Sequence, residues 1–118
     1  LPHSEGKMEI RTIEYKHCDL IETKGRIDSA TAPKFQEAVI SLTNSGKYRI
    51  VFDLGGVEFI SSAGLRVLIA AQKECKRYNR GEVLLANVPP KILSSLELAG
   101  FHVLFKIFKD VVSAVGYF

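Results

Sequence analysis

The chain is 118 residues long, 47% hydrophobic and 25% charged, a balance ordinary for one globular domain whose core needs neither disulfides nor metal. Its net charge of +3 is too mild to argue for a nucleic-acid partner. No apolar run approaches the roughly 20 residues of a membrane-spanning helix, so no membrane partner is expected.

Residues 1–7 carry no periodicity and read as a tail, or a remnant added for expression, ahead of one domain at 8–118. Residues 8–15 place Ile10 and Ile13 between Arg11 and Glu14 and predict a first strand. A second strand, antiparallel to it, follows at 18–25. The loop Gly25-Arg26-Ile27-Asp28-Ser29 leads to a helix from about Thr31, with Pro33 in its first turn and Ala32, Phe35, Val39 and Leu42 on one face. Asn44-Ser45-Gly46 ends it.

Residues 48–54 form the strongest strand, apolar enough for the middle of a sheet, and Gly55-Gly56 is expected to break it. Then comes Phe59-Ile60-Ser61-Ser62-Ala63-Gly64-Leu65, entering a helix predicted over 62–78 with Leu65, Leu68, Ile69 and Gln72 inward. The basic residues Lys73, Lys76, Arg77 and Arg80, with Glu74 among them, suit the solvated end of that helix better than a phosphate-binding stripe. A short buried strand at 82–86, a helix opened by Pro89-Pro90, a weak strand over 101–107 and a closing helix capped by Asp110 complete the chain.

Strands alternating with helices imply βαβ units. The expected fold is α/β, with a mixed, mostly parallel sheet of four to five strands and about four helices. In such sheets partners meet the loops at the carboxyl ends of the strands. The loops 25–29 and 55–62 are both of that kind and can lie side by side.

The chemistry concentrates on Ser61 and Ser62. Adjacent hydroxyls at a helix start face unpaired backbone N–H groups and the positive end of the dipole, which favour an anionic group. Either serine can instead simply cap the helix. Enzyme chemistry is not expected. His3, His17 and His102 cluster with nothing, no metal-ligand spacing occurs, and Ser62 lacks a Gly-x-Ser-x-Gly elbow. Gly55-Gly56 is too short to cradle a phosphate, so no cofactor is expected either. Cys18 and Cys75 lie far apart and read as free, partly buried thiols in a reducing compartment, pointing to the cytoplasm.

Gly25-Arg26-Ile27-Asp28, the strand Val51-Phe52-Asp53-Leu54, and Phe59-Ile60-Ser61-Ser62-Ala63-Gly64-Leu65 together resemble the STAS domain of bacterial anti-sigma factor antagonists. The resemblance covers the chain from Met8 onward. It implies a protein that, unphosphorylated, sequesters an anti-sigma factor that is also a serine protein kinase. Phosphorylation would release that partner, and a PP2C-type serine phosphatase would reset the switch. Matching Gly64-Leu65 to the family's Gly-Leu places the acceptor at Ser62, with Ser61 as the alternative, and makes Asp28 the acidic loop residue beside it. The implied partner-binding surface comprises Asp28, Phe59, Ile60, Ser61, Ser62, Ala63 and Arg66. The free protein is expected to be a monomer. Two departures stand out: Ser61 replaces an Asp that often precedes the acceptor, and Ala63 replaces a Ser or Thr that often follows it. Phe59 and Ile60 also suit the core, Asp28 a turn at the next helix, and Arg66 a solvated position. Members of the fold without regulated phosphorylation serve as scaffold subunits of signalling or transport complexes, and that alternative stays open here.

Overall fold

The structure is a computed structural model that describes residues 7–118. Among the described residues five strands form one sheet in the order β1-β2-β3-β4-β5: β1 (Met8–Glu14), β2 (Asp19–Ile27), β3 (Arg49–Ile60), β4 (Glu82–Ala86) and β5 (Lys106–Phe108). β1 pairs antiparallel with β2, and the other three pairings are parallel. The helices are α1 (Ala32–Asn44), α2 (Ser62–Lys76), α3 (Pro90–Leu98) and α4 (Val111–Tyr117). The mixed, mostly parallel α/β fold expected from the strand–helix alternation is the one observed.

The sheet separates two cores. On one side Ile21, Ile27, Ile50, Phe52, Leu54, Ile60, Val83 and Leu85 pack with the buried stripes of α1, α2 and α3. The α1 stripe is the predicted Ala32, Phe35, Val39 and Leu42, with Phe35 tilted against Phe52 at 5.4 Å between ring centroids. On the other side Leu20, Val51, Leu84 and Ala86 meet Ala114 of the short helix α4. Both faces of the central strand are therefore dry, which is why β3 reads as a continuous apolar run.

Several boundaries differ from expectation. Gly55-Gly56 does not break β3, which runs on to Ile60 and takes up two extra residues against β2. Glu22 pairs with Asp53 but Lys24 with Gly56, and Gly25 with Val57 but Arg26 with Phe59. The glycines permit these bulges because side chains would not fit. A Cβ on Gly55 would collide with the Asn87 side chain, and one on Gly56 would lie 2.6 Å from Lys24 Cγ. Residues 55–60 are thus strand rather than loop. The expected final strand over 101–107 is a short 3-10 turn, His102–Leu104, followed by β5. Helix α2 ends at Lys76, and Tyr78 and Asn79 turn the chain with φ of 59° and 56°.

Gln72 supplies what the short β5 leaves missing. It is buried on α2, where its amide accepts from Val83 N–H (2.7 Å) and donates to the carbonyls of Val83 (3.1 Å) and Leu104 (2.8 Å). One side chain thereby satisfies strand-edge groups that β5 does not reach and locks α2 to the sheet. The basic helix end is solvated at Lys73, Lys76 and Arg77, and Arg80 is the half-buried member. Arg80 bonds Glu74 at 3.1 Å and stacks on Tyr48 at 3.8 Å, while Arg77 lies 3.8 Å from Glu74. Both cysteines are buried as free thiols, Cys75 with its pKa pushed up by burial to about 12. The expected tail lies outside the described residues except for Lys7, whose carbonyl accepts from Arg26 N–H at 3.3 Å and continues the ladder.

Candidate functional site at the start of the second helix

The turn entering α2 is tied to the end of β2. Ser61 N–H donates to the Ile27 carbonyl at 2.7 Å, which brings the serine pair against the Asp28 loop, as the strand order predicted. The two serines then divide their tasks. Ser61 is half-buried with extended backbone; its Oγ accepts from Gly64 N–H (3.3 Å), and its carbonyl accepts from Leu65 N–H (3.0 Å). That is the N-cap. Ser62, the first helical residue, is exposed, and among the described residues no hydrogen bond engages its hydroxyl. The Ser62 and Ala63 amides at this helix start have no partner inside the helix and, with the dipole, bias the spot toward negative charge.

Gly64 explains how the turn sits so close to the sheet. A Cβ there would lie 2.6 Å from Ile27 Cγ2 and 2.8 Å from Ile60 Cγ1, so only glycine lets the first turn of α2 rest on these two strands. Ile60 is 5% exposed and belongs to this support; it is withdrawn from the partner-facing surface because its side chain fills the gap beneath Gly64. Ala63 is half-buried against the same core, and Arg66 is exposed.

Phe59 is 39% exposed, against the preference of its side chain for the core. The Arg26 guanidinium lies over its ring, 4.4 Å from the centroid, and reaches toward Asp28 with Nε 3.9 Å from Oδ2. Such stacking favours this exposed ring position by about 0.5–1 kcal/mol. Sequence reasoning missed Arg26 in this role. The pairing of Arg26 with Phe59 depends on the β3 bulges, which the Gly55-Gly56 pair alone does not distinguish from a strand break.

Asp28 builds the loop. Its Oδ1 accepts from Ala30 N–H (3.0 Å) and Thr31 N–H (3.1 Å), while its own N–H donates to Thr31 Oγ1 (2.9 Å). The Thr31 hydroxyl in turn donates to the Arg26 carbonyl at 2.8 Å. The Thr31 N–H bond, followed by further donors and the nearby Arg26 charge, holds the Asp28 carboxyl below the usual carboxylate range. One oxygen is thus spent on the turn, and the other faces Arg26 and solvent. Asp28 is therefore a permanent negative charge near neutral pH. Among the described residues, no group of three or more His, Cys, Asp or Glu side chains is placed to hold a metal ion.

The family model for the STAS domain matches residues 9–114. A Bordetella bronchiseptica protein named as an anti-sigma factor antagonist, BtrV, is 30% identical over 95 residues, spanning 80% of this chain and 81% of its own. Among solved structures, an anti-sigma factor antagonist from Mycobacterium paratuberculosis superposes with a TM-score of 0.82 at 22% identity, covering 94% of this chain and 93% of that one. The Bacillus cell fate determinant SpoIIAA in its phosphorylated form superposes with a TM-score of 0.73 at 13% identity, covering 92% and 98%. Given the extent of the match and the motif at the head of α2, the chain belongs to the STAS domain family.

Proposed function

We propose that this chain is an anti-sigma factor antagonist whose partner-binding surface is switched by phosphorylation of Ser62. The observation that carries this reading is the division of labour between the serines. Ser61 is used as the helix cap, which leaves the Ser62 hydroxyl exposed and unengaged among the described residues. A kinase can reach it without unfolding anything. The name of the Bordetella relative and the phosphorylated form of the Bacillus protein of the same fold support the reading.

In the unphosphorylated state, Ser62, Ala63, Arg66, the stacked Phe59 and the Asp28 loop present a near-neutral surface to an anti-sigma factor that is itself a serine kinase. A phosphate on Ser62 adds a charge of about −1.5 to −2 at pH 7. The start of α2 tolerates that charge, so the fold is unchanged. The partner does not tolerate it, since it would have to cover a dianion beside the fixed Asp28 carboxylate. Two unit charges at ~4 Å near a protein surface interact by about 4 kcal/mol, and ~1.4 kcal/mol already shifts affinity tenfold. A PP2C-type phosphatase restores the neutral state. The chain itself performs no catalysis and works in the cytoplasm.

The test is to incubate the protein with its cognate kinase and ATP and to map the phosphate, expected once and at Ser62. Ser62→Asp should then weaken kinase binding at least tenfold while leaving the circular-dichroism spectrum unchanged. Equal binding by Ser62→Asp and wild type would overturn the switch and leave a constitutive scaffold.

A further inference from the structure

We infer that β1 is a self-complementary edge through which two copies of this chain join their sheets. β1 is the first strand in the sheet order and, among the described residues, pairs only with β2. Its odd-numbered residues face β2, as shown by the bonds from Arg26 N–H to the Lys7 carbonyl (3.3 Å) and from Tyr15 N–H to the Cys18 carbonyl (2.9 Å). By the alternation of an antiparallel ladder, the N–H and C=O groups of Met8, Ile10, Thr12 and Glu14 therefore point away from the sheet. Seven residues of open edge is a template for another strand.

The side chains select the occupant and the register. Across β1 and β2, Glu9 is opposite Lys24, and Arg11 is opposite Glu22, with Arg11 Nη2 3.0 Å from Glu22 Oε1. A second β1 running antiparallel about a two-fold axis at Ile10 sets Glu9 of each copy against Arg11 of the other. The charges then alternate along both rows, Lys24, Glu9, Arg11, Glu22 in one and the reverse in the other. The two-fold registers centred on Glu9 or Arg11 would instead place like charges directly opposite, and one centred on Thr12 pairs Arg11 with Ile13. In the Ile10 register the outward groups match as well: Ile10 meets Ile10 and Met8 meets Thr12, closing about six backbone hydrogen bonds. Glu9 and Arg11 fall at the non-hydrogen-bonded positions, where facing side chains come closest. The opposite face contributes only the half-buried Ile10 and the rim of Met8. Lys34 Nζ, 3.5 Å from the Met8 carbonyl, swings aside at little cost.

So short an edge, held largely by charge, makes a concentration-dependent and salt-sensitive dimer rather than an obligate one. The pairing uses Met8, Glu9, Ile10, Arg11 and Thr12 and no residue of the Ser62 turn, so the dimer and the switch are tested by different variants. Sedimentation equilibrium of the full chain up to about 1 mM at low salt should show the mass rising from monomer to dimer. Glu9→Arg and Arg11→Glu should each weaken self-association at least tenfold, because each puts like charges across the two-fold. Mixing these two variants in equal amounts should restore a dimer, since opposite charges face each other again. Ile10→Pro removes an outward N–H and should abolish association while keeping the wild-type circular-dichroism spectrum. A wild-type chain that stays monomeric across this range would overturn the inference. So would single charge variants that associate as tightly as wild type, or a mixture that fails to recover.

Discussion

Replacing each serine separately by alanine tests the division of labour at the head of α2. Ser61→Ala removes the oxygen that accepts from Gly64 N–H. Loss of an N-cap costs about 0.5–2 kcal/mol. At 3.3 Å this bond is long, so the lower half of that range, about 0.5–1 kcal/mol, is expected. Helix α2 buries Leu65, Val67, Leu68, Ala71, Gln72 and Cys75, so it cannot fray alone, and the loss registers in global unfolding. With about 2.1 cal/mol/K of unfolding entropy per residue, the melting temperature should fall by roughly 2–4 °C. Ser62→Ala removes only an exposed hydroxyl and adds a residue of better helix propensity. Its stability should stay within about 0.5 kcal/mol of wild type, and it should accept no phosphate from the kinase. Urea unfolding of the three proteins, followed by circular dichroism, with phosphate incorporation measured in parallel, separates the roles. If Ser62→Ala lost as much stability as Ser61→Ala, or if Ser61→Ala were the variant that no longer took phosphate, the assignment would be reversed.

Three further expectations follow from the same geometry. Gly64→Ala forces a methyl against Ile27 and Ile60 and should cost about 1–3 kcal/mol in urea unfolding, with weaker kinase binding as the turn lifts off the sheet. Gln72→Leu keeps the volume but strands Val83 N–H and the carbonyls it served, so unfolding free energy should drop by about 1–3 kcal/mol or more; a neutral result would mean that water reaches these groups. Asp28 has its folded pKa below its unfolded value, so its contribution is complete above the unfolded value and is lost as pH falls through the folded one. The stability gap between wild type and Asp28→Asn should therefore be constant near neutrality and narrow below about pH 4, measured as urea midpoints.

The parts of this protein legible in the linear chain are those set by local periodicity and punctuation. The apolar stripe of α1, the dry centre of β3, Gly46 as a helix stop, and Asp110 as the cap of α4 follow from spacing and residue type alone. The motif from Phe59 to Leu65 marked the turn proposed here as the site for the same reason: a strand running into a helix start leaves few ways to place a hydroxyl. Gly55-Gly56 misled because a glycine pair signals a break and a bulge equally, and only the neighbours Asn87 and Lys24 distinguish them.

Tertiary structure decided the rest. Which serine caps and which stays exposed depends on where the Ile27 carbonyl takes up Ser61 N–H, a contact between segments 34 residues apart in sequence number (~30 or more, beyond any local window). Ile60 turned inward and Phe59 outward because side chains alternate across a strand, and the bulges set the phase of that alternation. Arg26 met Phe59 for the same reason. Local sequence fixes which residues are apolar and how often they recur, while exposure, the sign of the charge beside Ser62 and the open edge of β1 arise only when distant strands settle their register.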